Sequence, residues 1–306
     1  MVRAAEVFVP PLREGVAASR VGVGDGRFPT LLAFLTARFP AVADWPERLA
    51  RGDVLSADGR PLAADAPCAA GSLLWYWRDP PPEPAVPFEI ELLHRDEHLV
   101  VVAKPHFLPV IPSGRHLRET VLVRLRRQLD IATLAPMHRL DRETAGVLVF
   151  TVRAQDRAAY HALLRERDVH KVYEAVAPWR ADLTLPQVAR HRLEKGDGAG
   201  FMQVQVVPGE PNAQALIELI ERLGERALYR LTPRTGRTHQ LRVQMSALGI
   251  PIVGDRIYPT LWPEPTPEAP PDWSHPLQLL SREIAFTDPV TGEPRRFTSR
   301  RRLAGL

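Results

Sequence analysis

Apolar positions along the chain fall into two periods. Between Thr30 and Arg38, Leu31, Leu32, Phe34 and Leu35 stand at helical spacing, and Trp45 to Arg51 predicts a second short helix. Val54-Leu55 and Pro61-Leu62 flank Ala57-Asp58-Gly59-Arg60, a hairpin pattern with Asp-Gly at the turn. Leu73 to Trp77 reads as a closing strand. Its run Trp75-Tyr76-Trp77 suits a strand with one face in a core, or else a platform for stacking bases. The first 80 or so residues thus read as helix, helix, hairpin.

Beyond Phe88 strands alternate with helices. Phe88 to Leu93 and Leu99 to Ala103 are apolar and β-branched, as strands are. Glu119 to Leu129 carries Val121, Leu122, Leu125 and Leu129 as a helical stripe, with Arg124, Arg126 and Arg127 on the other face. Val147 to Val152 predicts a strand and Asp156 to Arg167 a helix. Lys171 to Ala177 alternates as a strand, and Phe201 to Val207 is a further strand candidate. Ala213 to Leu223 is long enough for a helix, but its alternation and the Gly224 break favour a strand paired with Ala227 to Leu231. Thr238 to Ala247 predicts a helix ending before Gly249.

Between these halves runs Asp79-Pro80-Pro81-Pro82-Glu83-Pro84-Ala85-Val86-Pro87-Phe88. Proline locks φ and lacks an N–H, so this stretch is an extended linker rather than a helix or central strand. The expected organisation is a small domain over 1–79, a linker over 80–87 and a larger domain over 88–306. Pro259 to Trp273, also proline-rich, reads as a surface loop.

Composition sharpens the picture in three places. Cys68 is the only cysteine, which excludes an intrachain disulfide and a cysteine zinc site. No run of apolar residues is long enough for a membrane span, and Met1 to Leu12 lacks the pattern of a secretory signal. A cytoplasmic chain with no membrane partner is expected, and monomer is the default. Of 40 basic residues only Lys104, Lys171 and Lys195 are lysines, while the net charge is +4. Arginine excess follows first from GC-rich coding; its second reading is phosphate recognition by forked guanidinium groups.

Two segments concentrate chemistry. In His138-Arg139-Leu140-Asp141-Arg142-Glu143-Thr144-Ala145-Gly146 a charged loop feeds directly into an apolar strand. A positioned carboxylate among cations can serve as nucleophile or general base. By pattern alone the loop is equally a surface salt-bridge cluster. The second segment, Arg234-Thr235-Gly236-Arg237-Thr238-His239-Gln240-Leu241-Arg242, opens a predicted helix, where N–H groups and guanidinium groups favour an anion. Asp141 and Glu143 stand too close in sequence to suggest a glycosidase pair, and His161 and His170 lack metal-ligand spacing.

Together the two segments resemble the RluA-type family of RNA pseudouridine synthases. Its hallmark H-R-L-D-R-x-T-x-G stands at His138 to Gly146, and its block T-G-R-T-H-Q-L-R at Thr235 to Arg242. Lys171, Tyr173 and Ala175 match its K-x-Y-x-A strand. Val101 to Val110, Gly249 to Asp255 and Asp288 to Glu293 match further blocks in the same order, so the likeness spans residues 88 to 300. Where the family often has serine, histidine and histidine-alanine, this chain has Ala145, Gln244 and Leu280-Ser281.

The resemblance implies an α/β fold of the α+β type. It consists of a mixed, largely antiparallel central sheet with flanking helices and a catalytic cleft, plus a small N-terminal helix-helix-hairpin domain similar to a ribosomal-protein RNA-binding module. It implies isomerisation of uridine to pseudouridine in structured rRNA or tRNA, through a flipped-out nucleotide and with no cofactor or metal. It assigns Asp141 as the essential aspartate, Arg237 as its arginine partner and Tyr173 as the residue packed on the base. Arg139 stands where the family holds the flipped nucleotide. His138 and Thr144 stand as loop scaffolding, and His239 and Gln240 either orient the helix or touch RNA. Arg142, Lys171, Thr238 and Arg242 fall in the same blocks as candidate RNA contacts. Arg124, Arg126, Arg127 and the five arginines between Arg295 and Arg302 are candidates for phosphates outside the cleft. The alternative is a non-catalytic RNA-binding or ribosome-assembly protein, against which the intact Asp141, Tyr173 and Arg237 set speaks.

Overall fold

A computed structural model describes residues 8–79, 82–196, 203–263 and 269–304. The chain divides into two compact units, Met1–Glu83 and Pro84–Leu306. Residues 80–81 of the expected linker, 201–202 of the expected strand and 264–268 of the expected loop lie outside the described residues.

In the first unit, α1 (Leu31–Arg38) and α2 (Trp45–Ala50) follow β1 (Ser19–Gly22) and precede β2 (Val54–Ser56) and β3 (Leu73–Tyr76). Thr30 caps α1, its side-chain oxygen accepting the Ala33 N–H at 3.2 Å. The sheet order is β1-β3-β2, so the main partner of β2 is β3. The Asp58-Gly59 turn forms as expected, but its second arm makes a single bridge, Leu55 with Pro61. Trp75 and Trp77 are buried, which matches the core-strand reading rather than the stacking platform.

The second unit is built on an eleven-stranded sheet. Its strands are β4 (Glu91–Arg95), β5 (Leu99–Lys104), β6 (Ala135–Pro136), β7 (Ala145–Thr151), β8 (His170–Pro178), β9 (Gln187–Lys195), β10 (Val204–Val207), β11 (Ala213–Leu223), β12 (Arg226–Pro233), β13 (Leu279–Thr287) and β14 (Pro294–Thr298). The main path runs β10-β9-β11-β12-β8-β13-β7-β5-β4, with β14 on β13 and β6 on β7. All pairings are antiparallel except the short one between β13 and β7.

Among the described residues, three α-helices cover the sheet. Strands put alternate residues on opposite faces. Accordingly Val100, Val102, Leu148 and Phe150 pack with α3 (Val121–Leu129), while Leu99, Val101, Val147 and Val149 pack with Tyr160 of α4 (Arg157–Glu166). Leu241 and Met245 of α5 (Gln240–Ala247) join Ala175, Ala177, Ile217, Tyr229 and Leu231 in a second core. Tyr173 packs against both the α3 core and the α5 core, so it stands where they meet. The mixed, largely antiparallel sheet with flanking helices is the α+β architecture that the sequence implied.

The parallel contact fixes the start of β7. Leu280 and Ser281 of β13 register with Ala145 and Gly146. Gly146 has φ +113°, and a Cβ there would lie 2.2 Å from the Ser281 carbonyl oxygen. Only glycine fits, and the motif loop before it is held against β13. Gly146→Ala should therefore cost about 3 kcal/mol or more, from strained backbone plus overpacking. A urea midpoint equal to wild type would show that β13 does not constrain this turn.

Candidate active site

Residues 137–144 link β6 to β7, and hydrogen bonds hold this loop from behind. The Thr144 N–H closes a turn on the Asp141 carbonyl at 3.1 Å. Lys104, the last residue of β5, is fully buried and donates from Nζ to the carbonyls of Arg142 (2.8 Å), Leu108 (2.8 Å) and Pro105 (2.9 Å). Burial pulls its pKa down to about 7, while the Glu143 and Asp141 carboxylates favour the ammonium. His106 Nδ1 donates to the Glu143 carbonyl at 2.7 Å. His138 Nε2 accepts the Val149 N–H at 3.3 Å, and burial lowers its pKa to about 3, so the ring stays neutral. These contacts aim Asp141 forward and make His138 and the buried Thr144 part of the frame.

Asp141 meets α5 across the cleft. Arg242 Nη1 donates to Asp141 Oδ2 at 3.1 Å. The rest of the guanidinium forks onto Asp255, with Nε to Oδ2 at 2.8 Å and Nη2 to Oδ1 at 2.7 Å. The Asp255 side chain is fully buried and that of Arg242 is 2% exposed, against 29% for Asp141. Burial opposes the arginine's charge, but Asp255 and Asp141 outweigh it and push its pKa up. The triad therefore has a buried end and one carboxylate facing the cleft.

This geometry corrects one expectation. Arg237 does not pair with Asp141. It lies in the exposed loop before α5, its Nε contacting the Asn212 carbonyl at 3.4 Å, and the pairing belongs to Arg242. The physical reason lies in how the loop is tied down. Buried Gln240 accepts the Arg237 N–H at 3.1 Å and the Thr235 hydroxyl at 2.7 Å, and donates to the Gln214 carbonyl at 3.0 Å. The loop is thereby fastened to β11, and Arg242, within the first turn of α5, is the arginine facing inward.

Tyr173 of β8 lines the same cleft. Burial pushes its phenol up to about 12; a hydrogen bond from Ser281 opposes this and the Asp141 carboxylate adds to it. At neutral pH it presents a neutral ring. The cleft encloses about 1700 Å³, above the roughly 300–1,000 Å³ of small-molecule pockets. His138, Arg139, Asp141, Arg142 and Thr144 line it from one side. Arg237, Thr238, His239, Gln240 and Arg242 line it from the other, with Lys171 and Tyr173 on β8.

The α3 arginines lie elsewhere. Arg124 donates to the Phe88 carbonyl at 2.9 Å and the Val86 carbonyl at 2.6 Å and pairs with Glu119. Arg126 donates to the Leu134 carbonyl at 3.0 Å. Both serve backbone carbonyls rather than phosphates, and neither they nor exposed Arg127 line the cleft. In the tail, Arg295 is spent on Asp288 and Asp96, and Arg301 on the carbonyls of Ala103 and Glu89. Lys104 and Asp255 were given no role from sequence, although both fall in motif blocks. Burial, which sequence does not print, is what makes them matter.

Known proteins resemble this chain in sequence and in fold. A family model described as RNA pseudouridylate synthase matches residues 98–247. An uncharacterised RNA pseudouridine synthase of Synechocystis is 34% identical over 218 residues, covering 70% of this chain and 73% of that protein. The dual-specificity RNA pseudouridine synthase RluA of Haemophilus influenzae is 31% identical over 233 residues, covering 72% of this chain and 96% of that one. Among solved structures, human RNA pseudouridylate synthase domain containing 4 aligns with a TM-score of 0.52 at 26% identity, covering 70% of this chain and 89% of its own.

The two arginines separate experimentally. Arg242→Met leaves Asp255 buried without its counter-charge, a loss of about 3–5 kcal/mol. Arg237→Met, at an exposed loop position, should leave stability within about 0.5 kcal/mol of wild type. Urea unfolding of the two variants decides the matter, and equal losses would contradict the buried triad.

Proposed function

The chain belongs to the RluA-type family of RNA pseudouridine synthases, and we propose that Asp141 is its catalytic carboxylate, acting on a uridine extruded from structured rRNA or tRNA into the cleft. The observation that carries this reading is the half-exposed carboxylate, anchored by a buried guanidinium beside a neutral aromatic ring. Isomerisation breaks the N1–C1′ bond, turns the uracil and joins C5 to C1′; the C5 proton leaves and N1 gains one, so the atoms balance. Asp141 attacks or deprotonates the sugar. Arg242 holds Asp141 by one oxygen, and Tyr173 stacks on the base while it turns. Extruding a base costs a few kcal/mol, which stacking and phosphate contacts offset. Arg139 and Arg237, exposed at opposite sides of the mouth, suit the phosphates of the extruded nucleotide.

The relatives point to the substrate class: one is named dual-specificity, and another is the ribosomal large subunit pseudouridine synthase D of Pseudomonas aeruginosa. We read the enzyme as a cytoplasmic monomer. Every residue lining the cleft belongs to the unit Pro84–Leu306, and no described helix is long and apolar enough to cross a membrane. The small N-terminal unit is read as an accessory module to this catalytic domain.

Release of tritium from C5-tritiated uridine in stem-loop RNA tests the assignment. Wild type should release it and Asp141→Ala should not, with RNA binding largely kept; equal release by both would sink the catalytic role of Asp141. The cleft also extends past Lys171 to Arg165 and Arg167 at the end of α4 and to Arg296 on β14. Arg165 pairs with exposed Glu166, which competes weakly with a phosphate, and exposed Arg296 pairs with Glu283, whose side chain is 17% exposed. Replacing all three arginines by alanine should weaken RNA binding and flatten the log–log salt slope by about one per lost phosphate contact. An unchanged slope would place the flanking RNA elsewhere.

A further inference from the structure

Behind the Asp141 carboxylate lies a second polar chain that the roles above do not use. His239 stands between two groups. Its Nε2 lies 3.9 Å from Asp141 Oδ1, the oxygen that Arg242 does not hold. Its Nδ1 lies 3.0 Å from the hydroxyl of buried Tyr258. That hydroxyl also accepts the Val204 N–H at 2.7 Å. One hydroxyl carries one proton, and a buried hydroxyl needs an acceptor for it. Among the described residues, the acceptor within hydrogen-bond reach is His239 Nδ1. The direction of the chain follows: Val204 N–H donates to Tyr258, Tyr258 donates to Nδ1, and the imidazole proton sits on Nε2, facing Asp141.

Resting on the catalytic reading of Asp141, we propose that Tyr258 and His239 form a positioning relay for the reaction. Tyr258 fixes the tautomer of His239, and His239 presents Nε2–H to Oδ1 of Asp141. In the substrate complex, Arg242 on Oδ2 and His239 on Oδ1 then hold the carboxylate at two points, which sets its plane for the reaction. A single anchor would leave it free to turn. The separation of 3.9 Å is longer than a hydrogen bond. Contacts of this kind commonly tighten in the substrate complex. Burial lowers the pKa of His239, Asp141 opposes this and Arg242 assists it, so the ring is neutral and its tautomer matters. The backbone of His239 is left-handed, at φ +52°, where most residues with a side chain are strained.

The relay makes a prediction that a structural role does not share. His239→Gln keeps an N–H near the Nε2 position, whereas His239→Asn reaches only the Nδ1 position. His239→Ala and His239→Asn should lower kcat for tritium release about 10- to 100-fold, the loss typical of a hydrogen bond to a charged group, with KM little changed. His239→Gln should recover most of it. Tyr258→Phe should lower kcat in the wild-type background and have no effect in His239→Gln, because an amide has no tautomer to fix. Equal losses from Tyr258→Phe in both backgrounds, or a wild-type kcat in His239→Ala, would overturn the relay. Nitrogen NMR of the histidine ring reads the tautomer without any turnover. The Nε2–H form should dominate in wild type and give way to a mixture in Tyr258→Phe; a dominant Nδ1–H form refutes the relay. A wild type that turns over no uridine would count against the catalytic reading, while the NMR result would still decide the tautomer.

Discussion

A buried guanidinium must be neutralised where it lies, and the site is organised around that demand. Arg242 occupies the first turn of α5 with its side chain out of solvent. Desolvating a cation in a low-dielectric interior costs several kcal/mol unless geometry and hydrogen bonds return it. Asp255 returns it with a two-point fork, and is itself steadied by the N–H groups of Ile257 (2.8 Å) and Tyr258 (3.1 Å). Three of the five guanidinium N–H groups are left over, and Asp141 takes one on Nη1. The reactive carboxylate is thus positioned by the surplus valence of a structural ion pair. Moving α5 relative to the segment carrying Asp255 would break the pair first and the site with it.

The loop bearing Asp141 depends on the opposite arrangement. There a buried ammonium satisfies three backbone carbonyls, and Gly146 lets β13 approach the strand that follows. Lys104 gathers the ends of two loops onto one nitrogen, which no neutral side chain of that length could do. Both devices place charge where water is absent, so neither tolerates a partial substitution. A half-satisfied network costs more than an apolar core.

Much of this was legible in the sequence. The stripe of Val121, Leu122 and Leu125 gave α3, alternation gave β8, and Gly224 decided β11 in favour of a strand. Five strands were missed: β6 has only two residues, and the other four have physical reasons of their own. β9 lies near the sheet's end, and its exposed positions, Val188, Arg190, Glu194 and Lys195, mix apolar with charged residues, so its alternation is faint. β13 follows a proline-rich stretch, β14 falls in the arginine-rich tail, and β1 is four residues long. The choice between Arg237 and Arg242 was not legible. Residues 240–245 are all buried, so α5 has no polar face to set its phase, and block order says nothing of which arginine turns inward.

The arginine excess finally separates into two uses. Arg124, Arg126, Arg282 and Arg301 donate to main-chain carbonyls, a task that a five-donor fork performs better than lysine. Those guanidinium groups are committed to the fold. In the N-terminal unit several arginines are likewise paired. Arg13 lies 3.7 Å over Trp77 and pairs with Asp53, Arg48 pairs with Asp44 and donates to the Trp77 carbonyl, and Arg60 pairs with Asp58. Over Met1–Glu83 nine basic residues face ten acidic ones, a net charge of −1, so the remainder of the chain carries +5. Counterion release scales with phosphates neutralised, not with arginines present. The net basic charge lies in the unit that holds the cleft.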